Sequence, residues 1–182
     1  MYELSRTDED LKRILTLQKK NIESQISHEE LQSQGFVTVH HDIGLLQKIC
    51  GLYGHMLARD MENLAAYALV MLKEYGDTIP VLKPMFEEIN QLYFKNEPLE
   101  KLPYVVMGQV CVDKAYRGTG VFQHLYQALQ RELSSTFTYL ITEVAIRNQR
   151  SIRAHTKVGF ECIKTYEADG EVWEILLWDW KK

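Results

Sequence analysis

The sequence predicts a single mixed domain of the α/β or α+β class over residues 1–182. Three observations carry this. The 182 residues are 46% hydrophobic and 25% charged, enough for one full core and ordinary for a globular chain. Helix-spaced and strand-like segments interleave along the whole length, with no linker, internal repeat or low-complexity stretch to divide it. Two runs, Tyr104 to Val112 and Tyr139 to Ile146, are almost continuously apolar, as strands buried on both faces are.

The elements follow in order. Tyr2 to Ser5 reads as a short strand, and Thr7 caps a helix whose apolar side is Leu11, Ile14, Leu15 and Leu17. Ser27, with Glu30 three residues on, is a second capping signal, and Gly35 breaks the pattern before the β-rich Phe36-Val37-Thr38-Val39. Asp42 to Cys50 is again helical in spacing. His55 to Asp60 and Ala65 to Leu72 form two strands around the polar turn Met61-Glu62-Asn63, a hairpin. Residues 76–103 interrupt the sheet pattern. There Met85, Phe86, Ile89, Leu92 and Tyr93 fall at helical spacing between prolines, so an inserted helix with flanking loops is expected. After the strand Tyr104 to Val112 come Gly118 and Gly120, then Phe122, Leu125, Leu129 and Leu133 on one side of a long helix. Ser151 to Val158 is a short helix stopped by Gly159, and Cys162 to Tyr166 pairs with Val172 to Trp178.

Composition excludes several functions. No window approaches the roughly 20 apolar residues of a membrane span. The opening Met1 to Arg6 has no apolar signal core, so a cytoplasmic location is expected. Cys50, Cys111 and Cys162 are odd in number and widely spaced, so neither a disulfide framework nor a cysteine metal clamp is expected. Residues 1–100 hold 10 basic and 16 acidic residues, and 101–182 hold 11 and 9. No dense basic patch points to nucleic acid, while the slightly basic second part suits a phosphate-bearing ligand.

The chemistry concentrates in Gly108 to Phe122. An apolar strand runs through Val110, Cys111 and Val112 into Arg117-Gly118-Thr119-Gly120 and then a helix beginning at Val121 and Phe122. Unpaired backbone N–H groups and the positive helix end converge there, the glycines allow close approach, and Arg117 adds charge, which describes an anion site. The nucleotide signatures GxxxxGK[ST] and GxGxxG are both absent. By itself the Gly-Thr-Gly turn is equally a plain strand-to-helix turn.

This loop, followed about 30 residues later by Asn148-Gln149-Arg150-Ser151 and by Gly159-Phe160, resembles the GNAT superfamily of acyl-CoA-dependent N-acyltransferases. The resemblance spans roughly Tyr104 to Trp178. It implies a mixed, mostly antiparallel central sheet with helices on both faces, and acetyl-CoA as co-substrate without a metal. Arg117, Gly118, Thr119, Gly120, Val121 and Phe122 would give backbone amides to the pyrophosphate. Val110 to Val112 would pair with the pantetheine as an extra strand. Asn148, which opens the Asn-x-x-Ser turn with Ser151, would bind the pantetheine arm. Phe122 departs from the usual Gly or Ala, so its ring must turn into the core or over the cofactor.

Many relatives present a catalytic Glu where Gln109 stands, and Gln109 cannot act as a base. Glu143, inside the buried run Leu140 to Ala145, is the expected replacement, because burial of a carboxylate raises its pKa. The alternative is an ion-paired or solvent-facing Glu. His155 stands where many relatives place a tyrosine general acid. It either protonates the leaving thiolate or packs beside the thiol end and holds a hydrogen bond. Cys111 as a covalent acyl carrier lacks a His or Asp at recognisable spacing. His40, His41 and Asp42 read as solvated turn residues rather than metal ligands.

The leading expectation is an N-acetyltransferase acting on a primary amine, small molecule or peptide. Residues 76–103, with the region around Gly44 to Tyr53, would form the substrate wall, and Met85, Phe86 and Tyr93 its apolar contacts. Glu87, Glu88, Glu97 and Glu100 would either attract a cation or solvate the segment. The alternative is an acyl-CoA-binding or sensing module without turnover. Neither membrane nor nucleic acid is an expected partner, and a homodimer is left open.

Overall fold

The computed structural model describes residues 1–22, 36, 37 and 39–182. The capping signal at Ser27 and Glu30, the break at Gly35 and the strand position Thr38 lie outside the described residues.

Strands β1 (Tyr2–Leu4), β2 (Met56–Asp60) and β3 (Asn63–Met71) begin a seven-stranded sheet. It continues through β6 (Tyr104–Val112), β7 (Tyr139–Ala145) and β9 (Glu171–Asp179) to β8 (Glu161–Ala168) at the far edge. Strands β4 (Tyr93–Phe94) and β5 (Glu97–Pro98) form a separate small hairpin. All neighbours in the large sheet are antiparallel except β6 and β7. The expected mostly antiparallel sheet is therefore present, and the predicted β2–β3 hairpin turns over Met61 and Glu62, with Met61 at φ 52°.

Helix α1 (Asp8–Asn21) starts where predicted: Thr7 Oγ1 accepts from the Asp10 amide, and the Asp10 carboxylate accepts from the Thr7 amide. Helix α2 (Ile43–Ile49) is capped by Asp42, whose carboxylate accepts from the Leu45 amide at 2.8 Å. These two and α3 (Lys83–Ile89) cover one face of the sheet, where Leu11, Ile14, Leu46, Met85 and Ile89 pack on Tyr67, Leu69, Val106 and Ile141. Helices α4 (Val121–Leu133) and α5 (Gln149–Val158) cover the other. There Leu125, Tyr126 and Leu129 pack on Ala66, Ala68, Val105 and Leu140. Each such fully buried leucine contributes about 1.5–3 kcal/mol by leaving water.

One element differs from its pattern. The spacing of Leu92 and Tyr93 continues α3, but the helix ends at Ile89 with Asn90 as its cap, and Tyr93 enters the β4–β5 hairpin. Two positive-φ residues, Lys95 and Asn96, make that hairpin's turn, so local turn chemistry overrides the apolar period.

Two irregularities in β6 position the site. Its pairing with β7 stops after three residues, Tyr104 with Tyr139, Val105 with Leu140 and Val106 with Ile141. Beyond that point the strands fork, and Thr142 Oγ1 donates to the Met107 carbonyl at 2.9 Å just past the split. Against β3, Leu69 faces Gln109 while Val70 faces Met107, so Gly108 is an extra, bulged residue. The bulge shifts the side-chain phase. Tyr104 and Val106 face the α1–α3 side with Cys111, and Gln109 joins them, whereas Val110 and Val112 pack toward α4 and α5.

Candidate active site

The fork opens a cavity of about 90 Å³ lined by Gln109, Val110, Glu143, Asn148, Ser151 and His155 among others. A larger cavity of about 410 Å³ lies between the end of β6, the glycine loop and α5. The two share Phe36, Val37, Val110, Asn148 and Ser151, so they form one cleft running from the glycine loop to the fork.

At the loop end, β6 passes into Asp113, whose carboxylate accepts from the Ala115 amide at 3.0 Å and starts a single 3₁₀ turn over Lys114–Tyr116. Gly118 and Gly120 follow at φ 80° and 85°, a region that side chains rarely adopt. A Cβ on Gly118 would meet nothing within 4 Å, so the backbone there borders open cleft. Gly120 is the N-cap of α4 and no side chain caps it. The amides of Val121, Phe122 and Gln123, in the helix's first turn, have no acceptor within the helix and carry its positive end. The Thr119 hydroxyl instead donates to the Tyr116 carbonyl at 2.7 Å.

Arg117 lines the cleft, and its guanidinium is also tied back to the fold. Its Nε donates to the Val112 carbonyl at 3.2 Å and its Nη2 to Asn21 Oδ1 at 2.6 Å, linking the loop to the end of α1. The Phe122 ring packs on the core, 5.0 Å from Tyr126 and 5.1 Å from His155, and also lines the cleft. Opposite, Asn148 caps α5, its Oδ1 accepting from the Ser151 amide at 3.2 Å. Arg150, Arg153 and Lys157 line the same cavity from α5. Their spacing of three and then four puts them on one helix side, a signal present in the sequence itself.

At the fork, Gln109 is the centre of a buried polar network. Its Oε1 accepts from Tyr67 at 2.6 Å and from Gln18 Nε2 at 2.7 Å, while its Nε2 donates to the Val39 carbonyl at 2.9 Å. Gln18 Nε2 also meets His41 Nδ1 at 2.8 Å, and the His41 amide donates to Gln18 Oε1. Burial lowers His41 to about 4, so this ring is neutral and its Nδ1 accepts. His41 is thus part of the packing rather than a solvated turn residue. Cys111, beside Tyr67, is pushed up to about 12 by burial and stays a thiol, which removes it as a nucleophile.

Glu143 faces the fork from β7. Burial pushes its carboxyl up to about 7, against a hydrogen bond donated by the Tyr166 hydroxyl that favours the charged form. His155 is 1% exposed, with both ring nitrogens engaged. Nδ1 lies 2.8 Å from the Ser151 carbonyl, which can only accept, so Nδ1 carries the hydrogen; Nε2 accepts from Tyr126 OH at 2.7 Å. Burial lowers its pKa to about 4, leaving a neutral ring packed between Phe122, Tyr126 and Phe160.

Three expected substrate contacts lie elsewhere. Met85 and Phe86 are buried in the α1–α3 core, because the apolar side of α3 closes that core, and Tyr93 is 72% exposed on the small hairpin. Leu82, just before α3, lines the fork cavity instead. Among the described residues no cluster of metal-ligating side chains occurs, and no helix is long and apolar enough to cross a membrane.

The family model of the acetyltransferase (GNAT) family matches residues 29–160. The chain belongs to that family. As a GNAT protein it is an acyltransferase. No curated protein matches the sequence significantly. Among solved structures, NAA60 from Arabidopsis thaliana, in complex with acetyl-CoA, is 13% identical over 98% of each chain, with a TM-score of 0.65. The putative acetyltransferase yncA from Salmonella typhimurium, with its cofactor acetyl-CoA, is 13% identical over 100% of this chain and 94% of that one, TM-score 0.62. The ribosomal-protein-S18-alanine N-acetyltransferase from Escherichia coli is 16% identical over 98% and 92%, TM-score 0.60. At such identities the likeness concerns the fold, which is the GNAT fold the loop motif implied.

Proposed function

We propose that this GNAT protein transfers the acetyl group of acetyl-CoA to a primary amine by direct attack on the thioester. The observation that carries the reading is the single cleft joining an uncapped helix end, at Gly118 to Gln123, to a fork holding one half-buried carboxylate. Past Val106, and apart from the Thr142 bond to the Met107 carbonyl, β6 has no further β7 pairing among the described residues, so an extended pantetheine can pair with its backbone around Val110, in the manner of strand addition. The loop amides suit the diphosphate, and Asn148 and Ser151 border the arm. Two of the structural neighbours are themselves complexes with acetyl-CoA.

An alkylammonium with pKa about 10.4 costs roughly 4.6 kcal/mol to deprotonate at pH 7, whereas a thiolate of pKa about 8.5 leaves readily. The base is the scarcer requirement. Glu143, at about 7, is half ionised near neutral pH and accepts the ammonium proton; the amine nitrogen then bonds to the thioester carbon, the C–S bond breaks, and the second nitrogen proton passes through solvent to the departing CoA thiolate, leaving the amide and CoA thiol. Gln109 takes no proton in this scheme, its amide being held by three partners. For His155 the packing role is favoured over proton donation, since both nitrogens are bonded and the ring is neutral. Residues 76–103 border the substrate side through Leu82.

A thiol-release assay with acetyl-CoA and a panel of small amines and peptides tests this. At least one amine class should turn over, and Glu143→Gln should lower kcat by about 10²–10⁴-fold with acetyl-CoA binding retained. Tight binding without turnover on any class would instead make the chain an acyl-CoA sensor.

A further inference from the structure

We infer that Tyr166 is a positioning residue for the reaction: its hydroxyl, reaching across β9 from the edge strand β8, holds the Glu143 carboxylate in the fork and favours its ionised form. The inference rests on the acetyl-transfer reading above, with Glu143 as base.

Glu143 lies two residues beyond the last β6–β7 pair, opposite Ile175 of β9, which offers it nothing polar. One strand further out, Tyr166 pairs with Trp173, a residue that also lines the fork. The phenol therefore approaches diagonally, and its O–H donates to Glu143 Oε2; among the described residues this is the partner the carboxylate finds. Burial, then the neighbouring Glu143, pushes the Tyr166 phenol above the ordinary tyrosine range, so it stays a donor at every working pH. A donor that never ionises can stabilise the carboxylate without competing for its proton.

The other groups around the pair leave this task to Tyr166. Lys164, two residues before it on β8, has its ammonium 3.4 Å from Glu88 of α3. His155 from α5 is neutral and bonded to Ser151 and Tyr126. Gln109 and Thr142 are uncharged and engaged with Val39 and Met107. A buried carboxylate without its donor would move further toward the protonated acid, which is useless as a base.

Tyr166→Phe removes the hydroxyl alone. In the full-length protein, the acid limb of the kcat/KM profile should move up by about one pH unit, an approximately tenfold loss at pH 6 that disappears by about pH 9.5. The KM for acetyl-CoA should not change. A ¹³C carboxyl NMR titration of Glu143, assigned by its disappearance in Glu143→Gln, should show the same upward shift without turnover. An unmoved acid limb and titration, or a loss equal at all pH values, would overturn the positioning role. If Glu143→Gln keeps full activity, the failure belongs to the base assignment itself, and the NMR titration still reports whether Tyr166 holds the carboxylate.

Discussion

Acidification from pH 7 to pH 5 should weaken this fold by about 3 kcal/mol, for reasons located in three histidines. His41, His55 and His155 are each lowered to about 4, by burial before any other cause. His55 is fully buried, bonded to the Leu46 carbonyl at 2.9 Å and accepting from the Val70 amide at 3.1 Å, so its ring has no room for a second proton. In the unfolded chain each takes up its proton near pH 6.5, in the folded chain only near 4. The unfolded state thus binds more protons across that window, and stability falls as pH falls. Integrated from pH 7 to 5, each histidine removes about 1.8 kcal/mol, about 5.5 together. Glu143 opposes them. Its folded value of about 7 exceeds the unfolded 4.5, so the native state gains the proton first and recovers about 2 kcal/mol over the same interval. The net loss is a large share of a typical total of about 5–15 kcal/mol. Urea unfolding followed by tryptophan fluorescence at half-unit pH steps measures it, and imidazole NMR should keep three rings neutral to about pH 5. Stability that is flat or rising between pH 7 and 5 would refute the reasoning.

Two further outcomes are expected. Gly118→Ala and Gly120→Ala place a side chain at φ 80° and 85°, so each should cost about 1–2 kcal/mol and lower Tm by a few degrees. Only the Gly118 Cβ enters open cleft, while that of Gly120 meets His124 Cε1 at an ordinary 3.6 Å; calorimetry should show acetyl-CoA affinity falling more than about tenfold further for Gly118→Ala. Equal losses would contradict the loop's role. Gln109→Glu should not create a base: it replaces the amide donor to the Val39 carbonyl, 2.9 Å away, with an oxygen that must be protonated to bond there. It should destabilise by about 2 kcal/mol at pH 7 and less at pH 5, read by denaturant midpoint, and a variant as stable as the parent at pH 7 would refute the network's structural role.

Local signals were legible and long-range ones were not. The Thr7 cap, the β2–β3 hairpin, the bounds of β6 and the Gly159 stop each depend on a few adjacent residues, and each appears where the sequence put it. The glycine loop was readable for the same reason, since Gly118 and Gly120 meet a local need for positive φ. Tyr93 was misplaced because helical spacing continues past a helix that turn residues Lys95 and Asn96 end. Met85 and Phe86 were correctly seen as apolar, but spacing says only that a face is buried, not whether core or ligand covers it. Tyr166, Gln18 and Tyr67 were missed because their partners lie 23, 91 and 42 residues away in sequence.

The bulge at Gly108 explains why one strand serves two purposes. Continued without it, the alternation that buries Tyr104 and Val106 on the α1–α3 side would bring Val110 to that side and turn Gln109 toward α4 and α5. With one residue inserted, Gln109 is instead drawn into the network with Gln18, Tyr67 and Val39, and Val110 and Val112 border the cleft. On either face Gln109 could not take a proton. In the proposed reaction the base must come from across the fork, where β7 offers Glu143 and β8 supplies the hydroxyl that holds its carboxylate.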